Sequence, residues 1–96
     1  SPTQVVVLNI TDKHTGYAEE VNSKLLAAGY RSETDFSNEK ISYKIRNHAM
    51  TRVPYMVIIG DKELNQGTIT IRDRSGNDIG TKSFEDFEKL LNKTIN

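Results

Sequence analysis

The residues of this chain with the clearest chemical use are the cations between positions 38 and 56. Lys40, Lys44, Arg46 and Arg52 fall in this short stretch, where Glu39 is the only acidic residue. The whole chain has 13 basic and 13 acidic residues and a formal net charge of +0, so its positive charge is local. Such a concentration of cations in a neutral protein attracts phosphate groups and is typical of a nucleic-acid-binding surface.

The sequence does not favour catalysis or a resident cofactor. The chain has no cysteine, and His14 and His48 lie too far apart to form a helical metal-binding pair. It also lacks the glycine-rich motifs that bind nucleotide phosphates. We therefore predict no catalytic residue, no metal site and no cofactor in this chain. A phosphoacceptor aspartate after one of the strands is a minor alternative, since loop aspartates are more often helix caps or turn residues.

Five segments have the composition of strands. The first is almost continuously apolar and β-branched, which is typical of a strand buried on both faces, whereas the fourth alternates strictly between polar and apolar residues. In chain order the segments are Val5–Ile10, Tyr30–Phe36, Tyr55–Ile59, Thr68–Arg72 and Asp78–Thr81. The second is polar enough for a sheet edge. Gly80, in the last strand, is a possible bulge.

Three amphipathic helices separate or follow these strands. The first begins near Thr11 or Asp12, the second is expected to be capped by Ser37 or Asn38, and the third follows Ser83. In the second helix, Ile41, Ile45 and Ala49 share an apolar face. Lys40, Lys44 and Asn47 lie on another side, which we expect to be free for binding. The apolar stripe of the third helix ends at Ile95.

This order predicts an α/β fold with three layers. We expect a five-stranded mixed sheet, mostly parallel with the fourth strand antiparallel, and three helices distributed over both faces. At 96 residues the chain is expected to form a single domain, residues 1–96. No apolar run is long enough to cross a bilayer and the start has no secretion-signal pattern, so no membrane partner and a cytoplasmic location are expected.

Several motifs resemble the C-terminal anticodon-binding domain of class II aminoacyl-tRNA synthetases, in particular its bacterial threonyl branch. The resemblance runs from Pro2 to Gly80 and is strongest in Asn38-Glu39-Lys40-Ile41, Arg52-Val53-Pro54-Tyr55-Met56 and Gly60-Asp61-Lys62-Glu63. It implies a tRNA anticodon loop as partner, most specifically that of a threonine tRNA. It also implies that the chain is a fragment of a larger, homodimeric ligase whose ATP, magnesium and zinc sites lie in an absent catalytic domain.

The resemblance also implies roles for individual residues. Such domains in the threonyl branch recognise chiefly the middle guanine of the anticodon and the following uridine. An arginine suits the O6 and N7 acceptors of guanine and a carboxylate suits its N–H donors, so Arg72 and Glu63 are the expected guanine contacts. We expect further base or loop contacts from Asn38 and Arg52. The remaining candidates are Lys40, Lys44 and Arg46 as phosphate contacts, and Asn9 and Thr11 as the cleft wall.

Plainer alternatives remain open for the same residues. Asn38 could simply cap its helix, Arg46 could form a surface ion pair, and Arg72 could pair with Glu63. Asp73 departs from the threonyl pattern, and its charge could hold Arg72 or weaken the approach of a phosphate. At the level of function, the alternatives are the equivalent domain of a prolyl, histidyl or glycyl synthetase, or an accessory domain of this fold that contacts protein or other nucleic acid.

Overall fold

A single mixed β-sheet organises the molecule, of which the computed structural model describes residues 2–94. The strands are β1 (Val5–Asn9), β2 (Ser32–Asp35), β3 (Tyr55–Ile59), β4 (Ile69–Asp73) and β5 (Asp78–Lys82). Their spatial order is β2-β1-β3-β4-β5, and β1 pairs in parallel with both β2 and β3. β4 is antiparallel to both of its neighbours, as predicted. The polar strand β2 lies at an edge, which also agrees with the sequence.

Two of the helices cover one face of the sheet. Helix α1 (Thr15–Ala27) and the C-terminal helix (Phe84–Thr94, called α4 below) pack on this face, which we call the α1/α4 face. The strand residues that form it are Val5, Val7, Val57, Ile59, Ile69 and Ile71. Buried Phe87 and Leu91 come from the C-terminal helix. Ile95, the last predicted apolar residue of that helix, lies outside the described residues.

The other face, which we call the α2 face, is covered by one helix only. Helix α2 (Ile41–Met50) packs Ile41, Ile45 and Ala49 against it, as their spacing predicts. The strand residues beneath these side chains are Val6, Leu8, Met56 and Ile58, all on β1 and β3. β4 and β5 contribute nothing to this cluster, so α2 does not pack over their half of the α2 face.

The structure adds to the predicted helices and corrects one boundary. A short helix, α3 (Asp61–Gln66), follows β3, and a 3₁₀ turn (Asp12–His14) precedes α1. The prediction that Ser37 or Asn38 caps the second helix was wrong, since Lys40 occupies the N-cap. Ser37 instead donates its backbone N–H and its hydroxyl to the Asp35 carboxylate, at 3.1 and 2.6 Å. Because the Ser37 hydroxyl is engaged in this local turn, it does not cap the helix. None of the helices within residues 2–94 combines the length and apolar character needed to cross a bilayer.

Lys44 does not lie on a free side of α2, contrary to the prediction. Its side chain is 1% exposed. The ammonium donates hydrogen bonds to the Asn9 backbone carbonyl at 3.1 Å, to Asn9 Oδ1 at 2.7 Å and to the Asp35 carbonyl at 3.3 Å. All three of its protons therefore have acceptors, as a buried ammonium requires. Burial lowers the pKa of Lys44, and the nearby carboxylates, Asp35 first among them, oppose this effect.

A second contact joins α2 to the same strand end. His48, one turn after Lys44, lies with Nε2 at 2.7 Å from Oδ2 of Asp35. Partial burial alone would raise the pKa of Asp35, but the hydrogen bonds from Ser37 and His48 outweigh it and lower the pKa from 3.8 to about 2. The ionised carboxylate is therefore favoured in the folded state, and it ties α2 to the end of β2.

We expect Asp35→Asn to destabilise the fold in a pH-dependent way. Because the folded pKa lies below the unfolded value of 3.8, the ionised group stabilises the protein above about pH 4. That contribution is lost as the pH falls towards 2. At neutral pH the variant should lose about 2 kcal/mol of unfolding free energy. Urea denaturation of both proteins between pH 7 and pH 2 measures this, with the difference shrinking below about pH 4. A deficit that stays constant over the whole range would contradict the ionic account.

Candidate nucleic-acid interface

A partly exposed polar surface of the sheet lies on β4 and β5, beside α2. Thr70 and Arg72 alternate with the buried residues Ile69 and Ile71, so they point to the α2 face, on the half that α2 does not cover. Helix α3 borders this half, where Lys62 Nζ donates to the Thr81 hydroxyl at 3.2 Å. Thr81 of β5 lies opposite Thr70, and their hydroxyl oxygens are 2.9 Å apart. We call this surface, defined by Thr70, Arg72 and Thr81, the open face. Its strict alternation was visible in the sequence.

Arg72 is held in place without losing its binding capacity. Its Nη1 donates to the carbonyl of Gly76 in the β4–β5 turn at 2.7 Å. The turn requires Gly76, which has φ +84°. An arginine has five N–H donors, and within residues 2–94 this is the only bond of the Arg72 side chain. The remaining donors are available to an acceptor over the open face.

Asp73 does not hold Arg72. Its Oδ1 instead accepts the backbone N–H groups of Ser75 and Asn77, at 2.9 and 3.0 Å. The carboxylate therefore shapes the turn that carries Gly76. The competing pair between Asp73 and Arg72, which the sequence left open, is absent among the described residues.

Glu63, the second expected guanine contact, belongs to the first turn of α3 and is 7% exposed. Its Oε1 accepts the Gly60 backbone N–H at 2.8 Å, and its Oε2 accepts the Thr70 hydroxyl at 2.7 Å. A Cβ at Gly60 would lie 2.6 Å from Ile10 Cδ1 and 3.2 Å from Glu63 Oε1, so a larger residue there would require the exposed Ile10 side chain to move. No ion pair joins Glu63 to Arg72 within the described chain. Thr70 lies between them, one side-chain repeat of about 7 Å from Arg72 along the strand.

His14, which was not among the predicted site residues, supports the start of α3. His14 is 3% exposed and accepts the Thr11 backbone N–H at Nδ1, 3.1 Å away. Nε2 therefore carries the proton and lies 2.7 Å from Asp61 Oδ1. The hydrogen bond from His14 and the bond from Lys13 lower the pKa of Asp61. Within residues 2–94, no three His, Asp or Glu side chains converge as metal ligands would.

The other predicted site residues lie along the length of α2. Asn9, Thr11, Asn38 and Lys44 line a small cavity of about 170 Å³ at the carboxyl ends of β1 and β2. Of the exposed cations, Lys40 is the N-cap of the helix and Arg46 lies within it. Arg46 is two residues after Lys44 and so on the opposite side of the helix. Because Lys44 reaches towards the end of β2, Arg46 lies on the side of the β4–β5 hairpin, where Ile45 approaches Gly76. Arg46 has no ion pair among the described residues.

Arg52 lies at the far end of α2 in an unusual backbone conformation. The helix ends in a Schellman motif, in which the Arg52 N–H bonds the Ala49 carbonyl at 3.1 Å and the Val53 N–H bonds the His48 carbonyl at 3.3 Å. Arg52 occupies the left-handed position of this motif with φ 61°, and it is the only residue other than glycine with positive φ in the described chain. Glycine is favoured there because a Cβ is strained.

We expect Arg52→Gly to stabilise the fold by about 0.5–1 kcal/mol, because it removes the left-handed strain. Arg52→Ala retains the strain and is the matched control for loss of the charged side chain. Urea denaturation of the three proteins at one pH measures the difference. Equal stability of the glycine and alanine variants would show that the backbone conformation carries no cost.

The predicted residues therefore form two groups rather than one cluster. One group surrounds the small cavity at the carboxyl edge of the sheet. The other borders the open face and consists of Arg72, Arg46 and Glu63, which is bonded to Thr70. Arg52 lies apart from the cavity group, at the C-terminal end of α2. An extended strand passing along α2 and over the open face would reach members of both groups.

Comparison with known proteins gives a consistent result. Residues 4–94 match a family model described as "Anticodon binding domain". The chain is 52% identical over 91 residues to the threonine–tRNA ligase of Marinobacter nauticus. The matched region covers 95% of this chain and 14% of that protein. It is 47% identical over 95 residues to the ligases of Prochlorococcus marinus and Halorhodospira halophila, in each case 99% of this chain and 15% of the relative. The chain thus spans about one seventh of the length of these curated relatives.

Solved structures agree with the sequence relatives. The RNA binding domain of threonyl-tRNA synthetase from Cryptosporidium parvum superposes with a TM-score of 0.90 at 26% identity, over 100% of this chain and 26% of that one. Histidyl-tRNA synthetase from Nostoc sp. PCC 7120 has a TM-score of 0.88 at 23% identity, over 100% of this chain and 23% of that one, which shows a shared fold. The family expected from the sequence motifs is confirmed, and the chain belongs to the anticodon-binding domain family of aminoacyl-tRNA synthetases.

Proposed function

We propose that this chain is the anticodon-binding part of a threonyl-tRNA synthetase and that it binds the anticodon loop of threonine tRNA. The observation that carries the proposal is the identity of about one half to threonine–tRNA ligases over nearly the whole chain. The matched length, 95 residues in two of the relatives, includes α2 and β4, which carry candidate RNA contacts.

The proposal assigns catalysis to the rest of a longer protein. The parent enzyme would join threonine to its tRNA with ATP, and its ATP, magnesium and zinc sites would lie outside this chain. This agrees with the share of the relatives that the chain spans, 14–15%. We further propose a homodimeric parent enzyme and a cytoplasmic location, as translation requires.

The open face suits an unpaired guanine. Anticodon bases are single-stranded and can turn outwards, so a protein can contact their edges directly. The free N–H groups of Arg72 fit O6 and N7 of guanine, and the Gly76 carbonyl already orients its guanidinium. Each oxygen of Glu63 accepts one bond within the protein, and each retains a second lone pair for a base N–H.

The cations of α2 suit the backbone of the same RNA. Lys40 and Arg46 are exposed and have no ion pair within residues 2–94, so they can approach phosphates without breaking an existing contact. Lys44 is different, because its three protons are used inside the fold. We propose that it acts indirectly, by fixing the position of the helix that carries the other two.

We expect Arg72→Ala to lose about 1–3 kcal/mol of binding to an anticodon stem-loop with the middle guanine, and much less to a loop with adenine there. The reason is that a bidentate contact to O6 and N7 discriminates between the purines. Arg46→Ala should weaken both loops by a similar factor and reduce the salt dependence, as a phosphate contact does. Fluorescence anisotropy at two stated salt concentrations measures both effects.

Lys89→Ala provides the control, since Lys89 is an exposed cation of α4 on the other side of the sheet. It should bind both loops like the unaltered chain. If Arg72→Ala weakened the guanine and adenine loops equally, Arg72 would be a phosphate contact and the guanine assignment would be wrong. If the unaltered chain did not distinguish threonine stem-loops from unrelated ones, the proposed function itself would fail.

One observation favours a second candidate, an accessory domain that contacts protein. Met50 is 76% exposed and Tyr43 is 50% exposed, both on the outward side of α2. Exposed methionine and tyrosine are common in protein interfaces. The absence of stem-loop binding would favour this candidate.

A further inference from the structure

One cavity lies at the amino ends of β1 and β3, next to the Arg72 end of the open face, since its lining residue Val6 pairs with Met56 and Met56 pairs with Arg72. Its volume is about 560 Å³, which is within the range of small-ligand sites. The walls come from the C-terminal end of α2, the segment before β1, and the β2 edge. Apolar contacts come from Val6, Val53 and Pro54, and polar groups from Asn47, Thr34 and Thr51.

Two arginines line this cavity. Arg52 comes from the end of α2, and Arg74 comes from the turn after β4. Neither guanidinium has a hydrogen bond or an ion pair with any residue of the range 2–94. Arg74 also lines a neighbouring cavity of about 200 Å³. Two arginines without partners at one cavity are well suited to a phosphate, which a guanidinium can bind with paired N–H donors.

The acidic groups nearby are already engaged. The Glu33 carboxylate lines the cavity and accepts the hydroxyl of Thr3. Asp73, next to Arg74, accepts two backbone N–H groups of its turn. The remaining titratable lining residue, His48, is paired with Asp35. The two arginines thus outnumber the single carboxylate on the wall, and that carboxylate offers an acceptor for N–H groups of a base.

The backbone of Arg52 gives an independent indication. A left-handed arginine at the end of α2 is strained where glycine would not be. Strained residues of this kind occur at ligand sites, where the surrounding structure holds them in place. Here the strain is associated with a cationic side chain at the cavity wall, and glycine would remove both.

We propose that this cavity receives one unpaired nucleotide of the bound RNA, distinct from the guanine over the open face. Its phosphate lies between Arg52 and Arg74, and its base lies against Val53 and Pro54 with N–H donors towards Glu33. This inference rests on the proposed RNA-binding function. It adds Arg74 and Asn47 to the residues that contact RNA.

Arg74→Ala tests the proposal, with Lys89→Ala as the matched control. Arg74 is exposed and has no side-chain bond in the described structure, so the variant should fold. We expect it to weaken binding of the threonine anticodon stem-loop roughly 3- to 10-fold, because one phosphate contact is lost. Lys89→Ala should stay within about twofold of the unaltered chain.

A series of stem-loops, each with one loop phosphate replaced by an uncharged methylphosphonate, then locates the nucleotide. The loss caused by Arg74→Ala should largely disappear at one position, because the phosphate that Arg74 binds is already neutral there. That phosphate should belong to a nucleotide other than the guanine that couples to Arg72. Unchanged binding by Arg74→Ala, a loss that persists at every neutralised phosphate, or coupling to the nucleotide of the same guanine would each overturn the proposal.

A competition experiment separates RNA from a free nucleotide. Nucleoside monophosphates should not displace the stem-loop at concentrations near its Kd, since a single nucleotide lacks the contacts along α2. Efficient displacement would identify a small-molecule site and overturn the proposal. If the unaltered chain bound no stem-loop at all, the proposed function would fail together with this inference, a result distinct from selective failure of Arg74→Ala.

Discussion

The candidate interface depends on how one buried ammonium group is satisfied. Lys44 reaches from α2 to the carboxyl ends of β1 and β2, where two backbone carbonyls and the Asn9 side chain accept its protons. A buried cation without such partners would cost several kcal/mol, so the helix can occupy only the position in which all three bonds form. The Asp35–His48 contact adds a second tie on the same side. Together they fix the helix that presents Lys40, Arg46 and Arg52.

The position of α2 leaves the two faces of the sheet unequally covered by helices. Two helices fill the α1/α4 face, whereas α2 alone lies over β1 and β3 on the other. β4 and β5 therefore retain an accessible surface whose outward side chains are Thr70, Arg72 and Thr81. A binding surface on strands is more rigid than one on loops, so Arg72 is presented in a defined direction before RNA arrives. The Gly76 carbonyl reinforces that direction.

Stability and binding make different demands at several residues. Arg52 retains a strained conformation where glycine would fit, and Glu63 combines a helix-capping bond with its candidate role towards RNA. The overall charge of +0 limits non-specific attraction to nucleic acids, while the local arginines and lysines attract phosphates at the candidate interface. This arrangement is consistent with a domain that must distinguish one anticodon loop from others of the same net charge.

The sequence by itself determined the elements, the fold class and the family. Periodicity located the strands and the three longer helices because apolar spacing reflects which side of each element is buried. Motifs spread over most of the chain identified the family, and the alternation of β4 placed Arg72 on the accessible side. Local signals could not predict the short helix α3, the N-cap at Lys40 or the cavity that Arg74 shares with Arg52.

Tertiary structure alone decided the state of individual polar groups. On a helical wheel Lys44 belongs with the free cations, yet it is buried because strand ends distant in sequence supply its acceptors. Glu63 likewise looks like a loop carboxylate until Gly60 and Thr70 are brought to it. The physical reason is the same in both cases. Apolar burial is encoded locally by spacing, whereas the pairing of a polar group depends on partners that only the assembled fold brings within hydrogen-bonding distance.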